Sequence, residues 1–96
     1  MLRFEWDPRK AASNRRKHRV AFEEAQTAFF DQEALLITDP EHSAAEDRFI
    51  LLGVSSALRI LVVCHCHREM DDVIRIISAR RANASERAEY TRRWRP

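Results

Sequence analysis

The chain contains one glycine, three prolines and two cysteines in 96 residues, and each scarcity excludes something. A single glycine leaves no Gly-rich loop to cradle a nucleotide phosphate. Cys64 and Cys66 stand one residue apart, which gives no disulfide framework and fits a reducing cytoplasm. The longest apolar stretches, Phe49–Val54 and Ile60–Cys64, fall well short of the roughly 20 residues of a membrane span, so no membrane partner is expected. The opening MLRFEWDPRK has neither the apolar core nor the small-residue cleavage site of a secretory signal, and a cytoplasmic protein is expected. What remains, 45% apolar and 33% charged residues in 11.3 kDa, suits one folded domain over 1–96.

The net charge is only +2, yet its distribution is uneven. Arg9, Lys10, Arg15, Arg16, Lys17 and Arg19 form a basic block without an acid. From Val20 to Asp47 there are eight acids and no Lys or Arg. From Arg48 the chain turns basic again. All but two of the 17 Lys and Arg residues are arginine, whose planar fork pairs bidentately with phosphate.

Leu2, Phe4 and Trp6 alternate with Arg3 and Glu5, as in a short half-buried strand. Asp7-Pro8 reads as an N-cap with proline at the first helical position, opening a helix to His18. Lys10, Asn14, Lys17 and His18 share one face of it. A second helix is expected over Phe22–Phe30, buried through Phe22, Ala25 and Phe29. A short strand Leu35–Thr38 follows, then a polar loop through Ala45. RFILLGVSS, RILVVCHCH and DVIRIISAR predict three antiparallel strands, with Gly53 marking a bulge or a close backbone approach. Asn83-Ala84-Ser85-Glu86 resembles a capping box opening a last helix to Arg93. The order β-α-α-β-β-β-β-α predicts an α+β domain with a mostly antiparallel sheet and helices packed on one face.

Cys64-His65-Cys66-His67 looks like metal chemistry, but on a strand the cysteines face one way and the histidines the other. No metal or cofactor is expected. His65 and His67 are acid–base candidates. The serines lack a nucleophile signature. Arg48, Arg59, Arg68, Arg75 and Arg80 lie on or beside strands. Arg75, inside an apolar run, must meet a carboxylate (Asp72, Glu69 or a helix acid) or open onto a cleft, because an unpaired buried charge is too costly. The functional reading is a basic cleft gripping a polyanion. RNA brings its own nucleophile, the 2′-hydroxyl, so such an enzyme needs phosphate clamps and a proton shuttle.

The stretch F-E-W-D-P-R-K-A-A-S-N-R-R-K-H-R-V-A-F-E-E-A resembles the opening of BrnT-type toxins, roughly F-x-W-D-x-x-K-x-x-x-N-x-x-K-H-G-V-x-F-E-E-A. R-I-I-S-A-R-R-A followed by E-R-A-E-Y resembles the same family's C-terminal signature, and Arg48 matches a recurrent arginine. The resemblance implies a RelE-like, metal-independent endoribonuclease of a type II toxin–antitoxin module. It further implies a BrnA-type ribbon-helix-helix antitoxin, a complex of two toxins with two antitoxins, and contact with operator DNA only through the antitoxin. Carried over, it assigns Arg48, Arg68, Arg75 and Arg80 to phosphate contact and transition-state stabilisation, and Lys10, Asn14, Lys17, His18 and Tyr90 to RNA contact; His65 joins the catalytic set from its place on the strand alone. Lys10, Asn14, Lys17 and His18 have a second reading as anchors of that helix to the sheet, with RNA contact favoured for Lys17 and His18, and Tyr90 has one as core. His18, His65, His67 and Lys17 remain open as the general base. Where the family has Gly after Lys-His, this chain has Arg19, at an expected left-handed helix end. The alternative from another class is a non-catalytic module that binds nucleic acid or antitoxin.

Overall fold

Each expected element forms close to where the sequence predicts it. The computed structural model describes residues 2–38, 48–68 and 72–92. The elements are β1 (Arg3–Glu5), α1 (Pro8–His18), α2 (Phe22–Thr27) running into a 3₁₀ turn (Ala28–Phe30), β2 (Leu35–Thr38), β3 (Arg48–Val54), β4 (Ile60–Arg68), β5 (Val73–Arg81) and α3 (Ala84–Arg92). The five strands form one sheet in the order β1-β5-β4-β3-β2, with β1 parallel to β5 and the other pairs antiparallel. The expected polar loop after Thr38 lies outside the described residues.

Local chemistry accounts for the boundaries. The Asp7 carboxylate accepts the Arg9 N–H at 2.8 Å, and Pro8 follows in the first turn of α1. That helix ends on Arg19 at φ 58° and ψ 36°, the left-handed conformation expected where the family pattern has glycine. At the start of α3, Asn83 and Glu86 exchange two 2.8 Å side-chain-to-backbone bonds, a reciprocal capping box. Gly53 is a close approach: a Cβ there would sit 3.0 Å from the Ala28 carbonyl and 3.2 Å from the Ala34 Cβ. The bulge lies elsewhere. Between Cys64 and His65 the β5 partner jumps from Ser78 to Ile76, leaving Ile77 as the extra residue.

Helices cover both faces of the sheet, not one. Val20, Phe22, Ala25 and Ala28 close over Leu51, Leu61, Val63, Ile74, Ile76 and Ala79. On the other face, α3 sets Tyr90 against Leu52, Val62 and Ala82. The sequence of α3 has too few apolar positions to declare its face, and a polar contact fixes it. The Tyr90 hydroxyl donates to Asp31 Oδ2, which also accepts the Val54 N–H. With 2% of its surface exposed, Tyr90 is a core residue, which corrects its reading as an RNA base platform.

Asn14 is likewise corrected. It is 6% exposed, and its amide is fully used: Nδ2 donates to Val20 O (3.0 Å) and Ala79 O (2.8 Å), while Oδ1 accepts from Ala79 N (3.0 Å). It fastens α1 to β5 and has no group left for RNA. His65 is the third correction. It is 0% exposed, on the α1–α2 side, with Phe29 edge-on at 4.7 Å and His67 at 5.4 Å. Its Nδ1 lies 3.2 Å from Val63 O, and its Nε2 has no partner among the described residues. Burial above all, with the neighbouring His67, holds its pKa down to about 4. A ring sealed in the core cannot shuttle protons to a substrate.

Two outcomes follow. Asn14→Ala strands three buried backbone groups and should cost about 2–4 kcal/mol in urea denaturation, with Asn14→Asp no better at neutral pH. An Asn14 that served RNA instead would leave stability unchanged. His65 stays neutral in the fold while an unfolded His titrates near 6.5, so stability should fall as pH drops below about 6.5 and level off near 4. The loss should approach about 3 kcal/mol, and His65→Leu should flatten that slope whatever its own stability.

Candidate nucleic-acid interface

Side chains of laterally paired residues share a face of a sheet. Across β1, β5, β4 and β3 the register aligns Glu5, Arg75, Cys66 and Arg48 in one row. The next row aligns Arg3, Val73 and Arg68, and beyond the bulge come Ser78 with Cys64, then Arg80 with Val62. Since Val62 lies under α3, all these residues belong to the α3 face. The helix covers β3 and the adjoining part of β4 at Ile60 and Val62. Arg48, Arg68, Arg75 and Arg80, singled out from the sequence, therefore converge on one open surface, and Arg3 joins them. His65, on the opposite face, does not.

The bulge makes this convergence possible. Without it, strict alternation would send Ser78 and Arg80 to the same side as Ile74 and Ile76. One extra residue returns them to the side of Arg75.

Carboxylates hold the guanidinium groups in place. Glu5 Oε2 accepts from Arg75 Nη1 at 2.9 Å and lies 3.4 Å from Arg68 Nε. Glu86 grips Arg80 through two parallel 2.8 Å bonds. This bidentate bond raises the Arg80 pKa, and the Arg80 guanidinium holds the Glu86 carboxyl below its usual range. Of the partners foreseen for Arg75, Asp72 meets Arg3 through its main-chain oxygen, and Glu69 lies outside the described residues. Glu5 escaped the sequence reading because the parallel β1–β5 pairing that brings it to Arg75 has no local signature. Its only local hint was its alternation against Phe4.

Arg59 belongs to a different structure. Its guanidinium binds Glu24 and the Arg19 carbonyl, and Glu24 also accepts the Ser55 hydroxyl at 2.6 Å. The Glu24 hydrogen bond raises the Arg59 pKa, and Arg59 in turn lowers that of Glu24. This cluster ties the β3–β4 hairpin to α2.

Lys10, Lys17 and His18 line a shallow groove of about 190 Å³ with Ser13, Asn14, Ile77 and Ser78. β1 stops at the level of Arg75, and α1 runs alongside the rest of β5. Ser78 thus stands at the rim between this groove and the arginine surface. Lys10 and Lys17 are exposed and His18 half-buried. Cys64 and Cys66 face the arginine side and His65 the other, so the Cys-His run cannot gather on one metal ion. Trp6 stacks edge-on with Phe22 at 5.8 Å and is packing.

No curated protein matches this chain. Among solved structures, the 1.1 Å crystal structure of the ribonuclease toxin BrnT from Brucella abortus is similar, with a TM-score of 0.68 and 22% identity, covering 86% of this chain and 99% of that one. That likeness establishes the fold. The family model described as the ribonuclease toxin, BrnT, of type II toxin–antitoxin systems matches residues 6–86. The match takes in α1, all of the sheet beyond β1 and the first turn of α3, and the chain therefore belongs to the BrnT family of ribonuclease toxins.

Proposed function

We propose that this protein is the toxin of a type II toxin–antitoxin module and acts as a metal-independent endoribonuclease. The observation that carries the proposal is the convergence of Arg48, Arg68, Arg75 and Arg80 on one open face. Guanidinium groups cannot take up a proton at any working pH, but they suit a phosphate whose charge grows as the reaction proceeds. The substrate's 2′-oxygen attacks the adjacent phosphorus, the bond to the 5′-oxygen breaks, and a 2′,3′-cyclic phosphate is left. Arg75 and Arg68 would hold the reacting phosphate, with Arg48 and Arg80 on its flanks. Lys10 and Lys17 extend the cationic track around the edge of β5, with His18 beside them.

The partners follow from the same reading. RNA is the substrate, and a BrnA-type ribbon-helix-helix antitoxin neutralises the toxin in the cytoplasm as a 2:2 complex, which alone meets operator DNA. The other reading, a binding module without activity, draws on the placement of Asn14, Tyr90 and His65 in structural roles.

Cleavage assays separate the two. Purified protein should cut RNA in EDTA and leave 2′,3′-cyclic phosphate or 3′-phosphate ends. Arg75→Ala should lower kcat about 100-fold or more without loss of folding. For a binding module, folded protein cuts nothing with or without translating ribosomes, and the same substitution only weakens affinity and reduces its salt dependence.

A further inference from the structure

Four arginines clamp a phosphate but supply no base, and the Arg75 row contains a group that can. Glu5 stands beside Arg75 in the row that continues to Cys66 and Arg48. It is 38% exposed at its side chain, so solvent and substrate reach it. Oε2 accepts the Arg75 hydrogen bond at 2.9 Å and lies 3.4 Å from Arg68 Nε. Oε1 accepts no hydrogen bond among the described residues. Among the described residues three other carboxylates reach this face: Glu86, whose two oxygens are taken by Arg80 and the Asn83 N–H, Glu89, paired with Arg92, and Asp31, which accepts from Tyr90 and the Val54 N–H. His65 is sealed beneath the opposite face.

We propose that Glu5 is the general base of the cleavage reaction, its Oε1 receiving the 2′-hydroxyl proton while Arg75 and Arg68 hold both the carboxylate and the scissile phosphate. This rests on the ribonuclease reading above and names the proton acceptor it lacks. As the proton passes to Glu5, the 2′-oxygen bonds to phosphorus and the bond from phosphorus to the 5′-oxygen breaks. The leaving oxygen takes a proton from water, and the protonated carboxyl returns its own to the hydroxide so formed. No oxidant, metal or co-reactant enters the balance.

The bland reading makes Glu5 an ion-pair partner that only orients Arg75. Glu5→Gln separates the two, because glutamine keeps the size and accepts from Arg75 through its carbonyl but cannot take a proton. Among the described residues, the charged and titratable groups facing Glu5 are Arg3 on its own strand, Arg75 on β5, and Cys66 and Arg68 on β4, with Arg48 beyond on β3. None of the arginines titrates in the working range. The acid limb of the kcat/KM profile against pH should therefore vanish in Glu5→Gln. Its kcat should fall 100-fold or more, with KM and affinity for a 2′-O-methyl RNA within about threefold of the parent. Glu5→Asp should keep the limb and exceed Glu5→Gln in rate. If Glu5→Gln retains kcat within threefold with the limb intact, the proposal fails while the ribonuclease reading stands. A drop in rate matched by an equal drop in 2′-O-methyl RNA affinity overturns it too, leaving Glu5 a positioning residue. An unmodified chain that cuts no RNA defeats both.

Discussion

Arg75 and Arg80 are five residues apart on one strand and by simple alternation belong on opposite faces of the sheet. The extra residue opposite the Cys64–His65 step brings them to the same face, and much else depends on that shift. On the N-terminal side of the bulge, Ile74 and Ile76 point into the α1–α2 core and Arg75 points out. On its C-terminal side, Ala79 serves the same core and Ser78 and Arg80 point out. A regular strand would bury Arg80 under α1–α2 or expose the isoleucines. The doubled Ile76-Ile77 is the trace of this solution in the sequence.

Ion pairs in this molecule fall into two kinds. Glu24, Arg59, Ser55 and the Arg19 carbonyl form a closed cluster in which Glu24, Arg59 and Ser55 each make several bonds. It is architectural. Glu5 with Arg75 and Arg68, and Glu86 with Arg80, lie open to solvent, where such pairs contribute about 0–1 kcal/mol to stability. Their value lies in direction: the carboxylates fix guanidinium groups that would otherwise sweep through many rotamers.

Helices, strands and caps were legible because each rests on neighbours in sequence: Asp7-Pro8, the Asn83–Glu86 box, the apolar runs of β3 to β5. The arginines were legible as types out of place on strands. Their convergence was not, since it needs the register of three strand pairs and the bulge. Asn14 and Tyr90 matched functional motif positions, and His65 was an acid–base candidate by type, yet all three serve the fold. The tasks of Asn14 and Tyr90 depend on partners far along the chain, Ala79 and Asp31. Sequence spacing within α1 groups Asn14 with Lys10, Lys17 and His18 correctly, but not which of them turns inward. Glu5 was overlooked for the converse reason, a charged residue on an ordinary-looking alternating strand.

Because β1 stops at Glu5, β5 would run on with its backbone open at the margin of the sheet. There the Asn14 side chain offers Ala79 one acceptor and one donor, the same pair of bonds that a neighbouring strand would make. Such margins invite strands from other copies to add on, the first step towards aggregates. One amide, carried by a helix that cannot itself pair, closes that template while leaving the cationic side chains around it in water.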